Sequence, residues 1–167
     1  MFANEPVSNY PDITEITFKS INKRYLKVIL SNIVLVFLGI LIALFLADYY
    51  SFFDKIDSYI FLIYFSFTLL FIVFCSFLYI GFKRRKYAVR EKDISYKSGV
   101  LFKKLTTVPF SRVQHIEVDE GPISRFFKLA SLSVFTAGDS SDDLEIKGIT
   151  KEEALQIKEF ISQKINE

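Results

Sequence analysis

The chain has very little of the two residues that most often bind metals or act as nucleophile and base: of 167 residues, only Cys75 is a cysteine and only His115 a histidine. A single cysteine inside a hydrophobic run allows no intramolecular disulfide and no thiolate metal cluster. A single histidine removes most nucleophile-plus-base catalysis. Charge is scarce in a more local way. Of the 40 charged residues, 21 basic and 19 acidic, positions 28–82 hold four, namely Asp48, Asp54, Lys55 and Asp57, all in one short interval. The net charge of +2 says little, whereas its distribution divides the chain in two.

Apolar residues are abundant: 51% hydrophobic, 17% aromatic and a mean hydropathy of +0.30, high for a small soluble protein. Two uncharged runs, 28–47 and 59–82, are each long enough to cross about 30 Å of hydrocarbon, so both are expected to be transmembrane helices. Phe45 stands three positions before the only small-residue cut, after Ala47, which argues against a cleaved signal peptide.

Orientation follows from the basic residues near the helix ends. Lys19, Lys23, Arg24 and Lys27 precede the first run, and Lys83, Arg84, Arg85, Lys86 and Arg90 follow the second, while the interval 48–58 has only Lys55. The expectation is a hairpin in the plasma (inner) membrane with both termini cytoplasmic. Residues 48–58 form its external turn, where Tyr49, Tyr50, Phe52, Phe53 and Tyr59 suit the interface. The eight juxtamembrane cations Lys19, Lys23, Arg24, Lys27, Lys83, Arg84, Arg85 and Lys86 are expected to contact the membrane surface. Gly39, Ala43 and Ala47 recur every four residues and predict a helix-packing strip, with the second helix as first partner and self-association as the alternative. Neither run carries an ionisable group other than Cys75 and its tyrosines, which turns the reading away from an ion pathway.

Ahead of the hairpin, Pro6 and Pro11 discourage helix, after which Phe18, Ile21, Tyr25 and Val28 have helical spacing. Residues 1–27 are therefore expected to be a cytoplasmic segment ending in an interfacial helix. From residue 83 the pattern becomes short alternating runs. Strands are predicted over 85–91, 94–97, 100–110, 112–119, 130–137 and 144–147, with Gly99 supplying a positive φ in a hairpin and Pro109 closing its strand or lying at an edge. In the strand 112–119, Gln114, Ile116 and Val118 are assigned one face and Val113, His115 and Glu117 the other. Residues 123–129 are expected to be a short turn crossing between sheets. Thr150 and Glu153 have capping-box spacing before a helix whose buried face would be Ala154, Ile157, Phe160, Ile161 and Ile165. The fold class expected for 83–167 is a bent antiparallel sheet, or a partly open barrel, capped by a C-terminal helix.

Residues 86–89 with 93–99, the stretch VPFSRVQHI (108–116) and the stretch GPISRFFKLASLSVFTAG (121–138) together resemble the bacterial pleckstrin-homology (PH)-like domain family, in its membrane-flanking class. The two preceding helices also match that family's layout, so the resemblance runs from about residue 20 to the end. Lys128 stands where relatives commonly have glycine; if that position needs a positive φ, lysine costs roughly 1 kcal/mol. The resemblance implies a membrane-tethered binding or assembly module and does not fix a ligand.

Pro109, Arg112, Gln114, His115, Gly121 and Pro122 lie in these motifs, and their role is read as structural: no base, oxyanion donor or metal partner stands near His115 in the sequence. Asp139, Asp142, Asp143 and Glu145 suggest a calcium loop until Leu144 and Thr150 are seen to occupy its glycine and glutamate positions. Inositol-lipid binding is not supported, because the turn 97–99 has one lysine. No phosphate-binding glycine loop or nucleophile elbow occurs, and no cofactor or nucleic acid is expected. The leading expectation is a non-enzymatic module that binds a protein partner, or its own copies, at the cytoplasmic membrane face. The alternatives are an envelope-integrity or antimicrobial-peptide tolerance factor acting through its helices, and an accessory subunit of a membrane transporter or enzyme.

Overall fold

The computed structural model describes residues 16–50, 59–136 and 144–166. The predicted spans appear as α1 (Tyr25–Tyr49) and α2 (Ile60–Arg84), each slightly longer than its charge-free run because flanking polar residues complete the end turns. Both are long and apolar enough to cross a membrane, and they bury almost nothing inside the protein, unlike the core helix of a soluble domain. Three of their polar side chains bond back to their own helix, which suits hydrocarbon surroundings. Asn32 Nδ2 donates to the Val28 carbonyl at 2.9 Å, Thr68 to Tyr64 at 2.8 Å and Ser76 to Ile72 at 2.9 Å.

The helices meet through bulk, not through small residues. Phe37 stacks on Phe67 with ring centroids 4.8 Å apart and tilts over Phe71 at 4.0 Å. Gly39 and Ala43 are exposed, and a Cβ built on Gly39 would meet nothing within 4 Å. At Gly39 and Ala43 the Gly39, Ala43, Ala47 strip therefore does not receive α2 as expected: the interlocked phenylalanines set the contact face of α1 roughly half a turn from Gly39.

Two sheets follow. The first has the order β1-β2-β3-β4, from β1 (Lys19–Ser20), β2 (Lys86–Val89), β3 (Asp93–Ser98) and β4 (Lys104–Pro109); the second has the order β5-β6-β7, from β5 (Val113–Asp119), β6 (Leu129–Thr136) and β7 (Leu144–Thr150). All pairings are antiparallel and the sheets do not close into a barrel. A single 3-10 turn at Phe110–Arg112 joins them, and α4 (Lys151–Asn166) packs on the second sheet. The shared core includes Ile94, Val108, Leu132, Val134, Ile146 and Ile161.

The first strand was not expected. Residues 19–20 pair with β2, Lys19 opposite Tyr87, and Ile21 is 3% exposed in the domain core. The Asn22 N–H donates to the Gly148 carbonyl at 2.8 Å. The expected interfacial helix before Tyr25 is thus replaced by strand and turn, because pairing with β2 satisfies backbone groups and buries Ile21 together. The domain has two sequence parts, 16–22 and 85–166, with the membrane hairpin inserted between its first two strands; residues 83–167 alone are not the unit. Tyr25 from α1 and Phe82 from α2 pack against the same core, so both helices are keyed into the domain.

Other differences are local. β4 starts at Lys104 instead of Val100, since Gly99 at φ +104° sends 100–103 outward as a loop. Val113 lies on the buried face with Ile116, because a bulge between Val113 and His115 inserts one residue and reverses the alternation. The helix α3 (Pro122–Phe126) does not cross between sheets; it joins β5 to its neighbour β6. Thr150 Oγ1 accepts from the Glu153 N–H at 3.2 Å, but the carboxylate of this capping pair turns to Tyr87 and Lys19. In α4, Ala154, Ile157 and Ile161 are buried as expected, while Phe160 and Ile165 are exposed, Phe160 meeting the ring of Phe110 in the 3-10 turn. The acidic turn 139–143 and most of the turn 48–58 lie outside the described residues.

Lys128 has φ 56°, in the left-handed region, where the family resemblance leads one to expect glycine. Replacing Lys128 by glycine is expected to raise stability by about 1 kcal/mol, measured as an upward shift in the urea midpoint.

Candidate functional site

The connection 98–104 lies against the end of α2. The Arg84 Nη1 donates to the Val100 carbonyl at 2.9 Å, and a Cβ on Gly81 would come within 3.1 Å of the Val100 side chain. Pairing of β2 with β3 sets Lys86 opposite Lys97. Three separate segments consequently meet in one open cavity of about 330 Å³, lined by Lys83, Arg84, Lys86, Lys97, Gly99 and Lys103. At the loop tip beside it, Leu101 is 77% and Phe102 88% exposed. Gly99 cannot be exchanged freely here: a Cβ would lie 1.8 Å from the Phe102 carbonyl oxygen.

A second projection stands at the start of α1. α3 packs against α1, and a cavity of about 250 Å³ is lined by Arg24, Lys27, Phe126, Phe127 and Lys128. Phe126 is 83% exposed. Exposed aromatic and cationic side chains thus flank the hairpin on both sides at the level where it joins the domain.

The eight cations expected at the membrane surface separate into groups. Lys83, Arg84 and Lys86 line the first cavity, Arg24 and Lys27 the second, and Lys23 is exposed near them. Lys19 instead pairs with Glu153 at 2.6 Å, and the Arg85 guanidinium lies over the Tyr25 ring at 5.8 Å, so both serve the joint between hairpin and sheet. Sequence reasoning missed Lys97, Lys103, Leu101, Phe102 and Phe126. A count of the cations at the turn 97–99 sees one lysine, because the others arrive through strand pairing and the helix end.

At the joint, the Tyr87 hydroxyl donates to Glu153 Oε1, the oxygen that also meets Lys19. Burial first, and the hydrogen bond and charge of Glu153 second, hold the Tyr87 phenol well above its ordinary value of 10.0. Tyr96 is also raised, by burial, with Arg85 opposing. A raised folded-state value means that the stabilisation is fully present below pH 10 and is lost as pH rises beyond it. Replacing Tyr87 by phenylalanine is expected to cost about 1–2 kcal/mol at neutral pH and to flatten the loss of stability above pH 10, as followed by unfolding across an alkaline series.

The motif residues occupy framework positions. Pro109 ends β4, which is an edge strand. Gly121 precedes α3 and Pro122 opens it, where a missing N–H costs nothing. His115 is exposed, stacks on Phe135 at 4.2 Å and has Nε2 3.6 Å from Glu117. Arg112 and Gln114 are exposed on the turn and strand around it. Among the described residues no group of acidic, histidine and cysteine side chains could hold a metal ion. At the opposite end of the domain a groove of about 990 Å³ runs between the β2–β3 turn, the motif residues Pro109, Phe110 and Ser111, and the exposed Phe160 and Ile165 of α4.

The model of the bacterial PH domain family matches residues 16–165. The transmembrane protein YdbS of Bacillus subtilis (strain 168) is 31% identical over 78 residues, an alignment covering 47% of each protein, so the match spans about half of that relative's length. A solved structure of a DUF1696 family protein with a pleckstrin-homology domain, from Shewanella loihica pv-4, aligns with 22% identity over 49% of this chain and 71% of its own, with a TM-score of 0.37.

Proposed function

We infer that this chain, which belongs to the bacterial PH domain family, is a non-catalytic docking module that holds a protein-binding surface at a fixed distance from the membrane. The family match begins at residue 16, ahead of the hairpin, in keeping with a domain that starts at β1. The membrane location rests on two helices of spanning length, and the excess of Lys and Arg at their domain-side ends favours a cytoplasmic domain on the inner membrane. The bound partner is a protein or a second copy of the chain.

The observation that carries this reading is the groove lined by Pro109, Phe110, Phe160 and Ile165. It combines an aromatic and aliphatic lining with Glu91 and Lys92 at its rim, the composition of a protein contact patch. Its floor is fixed, since the Phe110 N–H donates to the Lys92 carbonyl at 2.9 Å and the Phe110 ring meets Phe160 edge-on at 6.1 Å. It also faces away from the hairpin, at the far ends of β2 and β4, where a partner has access.

The test is a photo-crosslinking residue at position 160 of the full chain in native membranes. A single adduct, identified by mass spectrometry as one partner or as the chain itself and lost on Phe110→Ala, is the expected result. A chain that stays monomeric and without adduct, in membranes and in mild detergent, overturns the reading.

A further inference from the structure

We propose that Leu101 and Phe102 on one side of the hairpin, and Phe126 on the other, dip into the lipid leaflet at which the two helices end, while the neighbouring lysines and arginines hold anionic lipid phosphates. The proposal depends on the hairpin lying in a membrane and is independent of any protein partner in the distal groove.

Three observations support it. Depth is the first: the Arg84 to Val100 hydrogen bond and the Gly81 contact place the loop beside the last turns of α2, where that helix leaves the hydrocarbon. The second is exposure: large apolar side chains 77–88% open to solvent are left uncovered by the described residues, and the bilayer surface is the apolar phase continuous with the helices beneath them. The third is charge. Each projection carries its own cations, Lys97 and Lys103 with the α2 end, and Arg24, Lys27 and Lys128 with the α1 start. Apolar tips ringed by cations match an anionic membrane surface, where acyl chains lie below a layer of phosphates. A protein partner at this position would have to compete with lipid for the same surface.

Two such contacts on opposite sides of the hairpin would also fix the tilt of the domain, which a hairpin alone leaves to the helix ends.

The chain contains no tryptophan, so single replacements give an unambiguous probe. The full chain carrying Phe102→Trp or Phe126→Trp is placed in nanodiscs of phosphatidylcholine, with or without phosphatidylglycerol. Phe74→Trp, midway along α2, reports on insertion of the hairpin, and Phe160→Trp reports on the distal end. Expected are blue-shifted emission and quenching by lipid with a nitroxide near the headgroup at positions 102 and 126, stronger with phosphatidylglycerol. Lys97→Gln and Lys103→Gln should each lower the ratio of inserted to free loop at position 102 roughly fivefold. If positions 102 and 126 are as open to acrylamide as position 160 while position 74 is quenched by lipid, the proposal fails and the membrane hairpin stands. Insertion indifferent to phosphatidylglycerol also overturns it. So does protection from acrylamide without nitroxide quenching, which would mean that protein covers these residues.

Discussion

Truncation of Ile21 to alanine destabilises the sheet domain by about 2–5 kcal/mol, although the helical hairpin separates this residue in sequence from almost all its neighbours. Ile21 is 3% exposed and belongs to the same core as Tyr87, Ile94 and Ile149. Removing its outer carbons loses their transfer free energy and leaves a cavity that the flanking β1–β2 pairing prevents from collapsing. Urea unfolding of the full chain in detergent, read by hydrogen exchange at β6 and β7, measures the change. Ile21→Val should cost only about 0.5–1.5 kcal/mol. A residue on a lipid-facing interfacial helix would behave differently: alanine there would leave the exchange of the sheet unchanged. The measurement therefore separates the two placements of this segment.

Replacement of Gly148 by alanine costs about 3 kcal/mol or more and loosens the joint between hairpin and domain. Gly148 has φ +83°, which alone penalises a side chain by about 1–2 kcal/mol. The added Cβ would also lie 2.3 Å from Tyr25 Cγ and 2.6 Å from Tyr25 Cβ. The Tyr25 Cβ is fixed to the backbone in the first turn of α1, so a change of rotamer swings Cγ away but leaves the Cβ contact, and overpacking adds about 1–3 kcal/mol. A double-mutant cycle gives the clearest signature. Tyr25→Ala loses packing in the parent protein, but in the Gly148→Ala background it should recover part of the loss, a coupling of opposite sign to an ordinary contact. Equal losses in both backgrounds would rule out the steric account.

What the sequence revealed and what it concealed have separate physical causes. The hairpin was legible because long charge-free runs have few alternatives in water, and α4 because Thr150 and the spacing Ala154, Ile157, Ile161 mark its start and face. The positive φ at Gly99 is legible from turn composition, while at Lys128 the family resemblance raises it only as a condition, which the φ of 56° meets. β1 was not legible: two residues carry no alternation, and Phe18, Ile21, Tyr25 and Val28 fit a helical period that only the partner β2 overrules. The bulge at Val113 was equally silent, since one inserted residue reverses the faces without altering the composition. As for the membrane-side surface, its cations come from positions 83, 84, 86, 97 and 103 beside α2 and from 24, 27 and 128 beside α1, and no local window holds them together. Leu101 and Phe102 looked like the first residues of a strand, and only the turn made by Gly99 exposes them.

The insertion of the hairpin between β1 and β2 also sets an order of assembly. β1 leaves the ribosome before either helix, and β2 after both. Lys19 can face Tyr87 only when both segments are on one side of the membrane, which requires both helices to cross it or neither. A chain with one helix threaded would leave β2 as a bare sheet edge and Ile21 without its core. The folded domain therefore excludes a half-threaded hairpin, and a chain with one helix inserted would show itself to proteases and chaperones as an incomplete sheet.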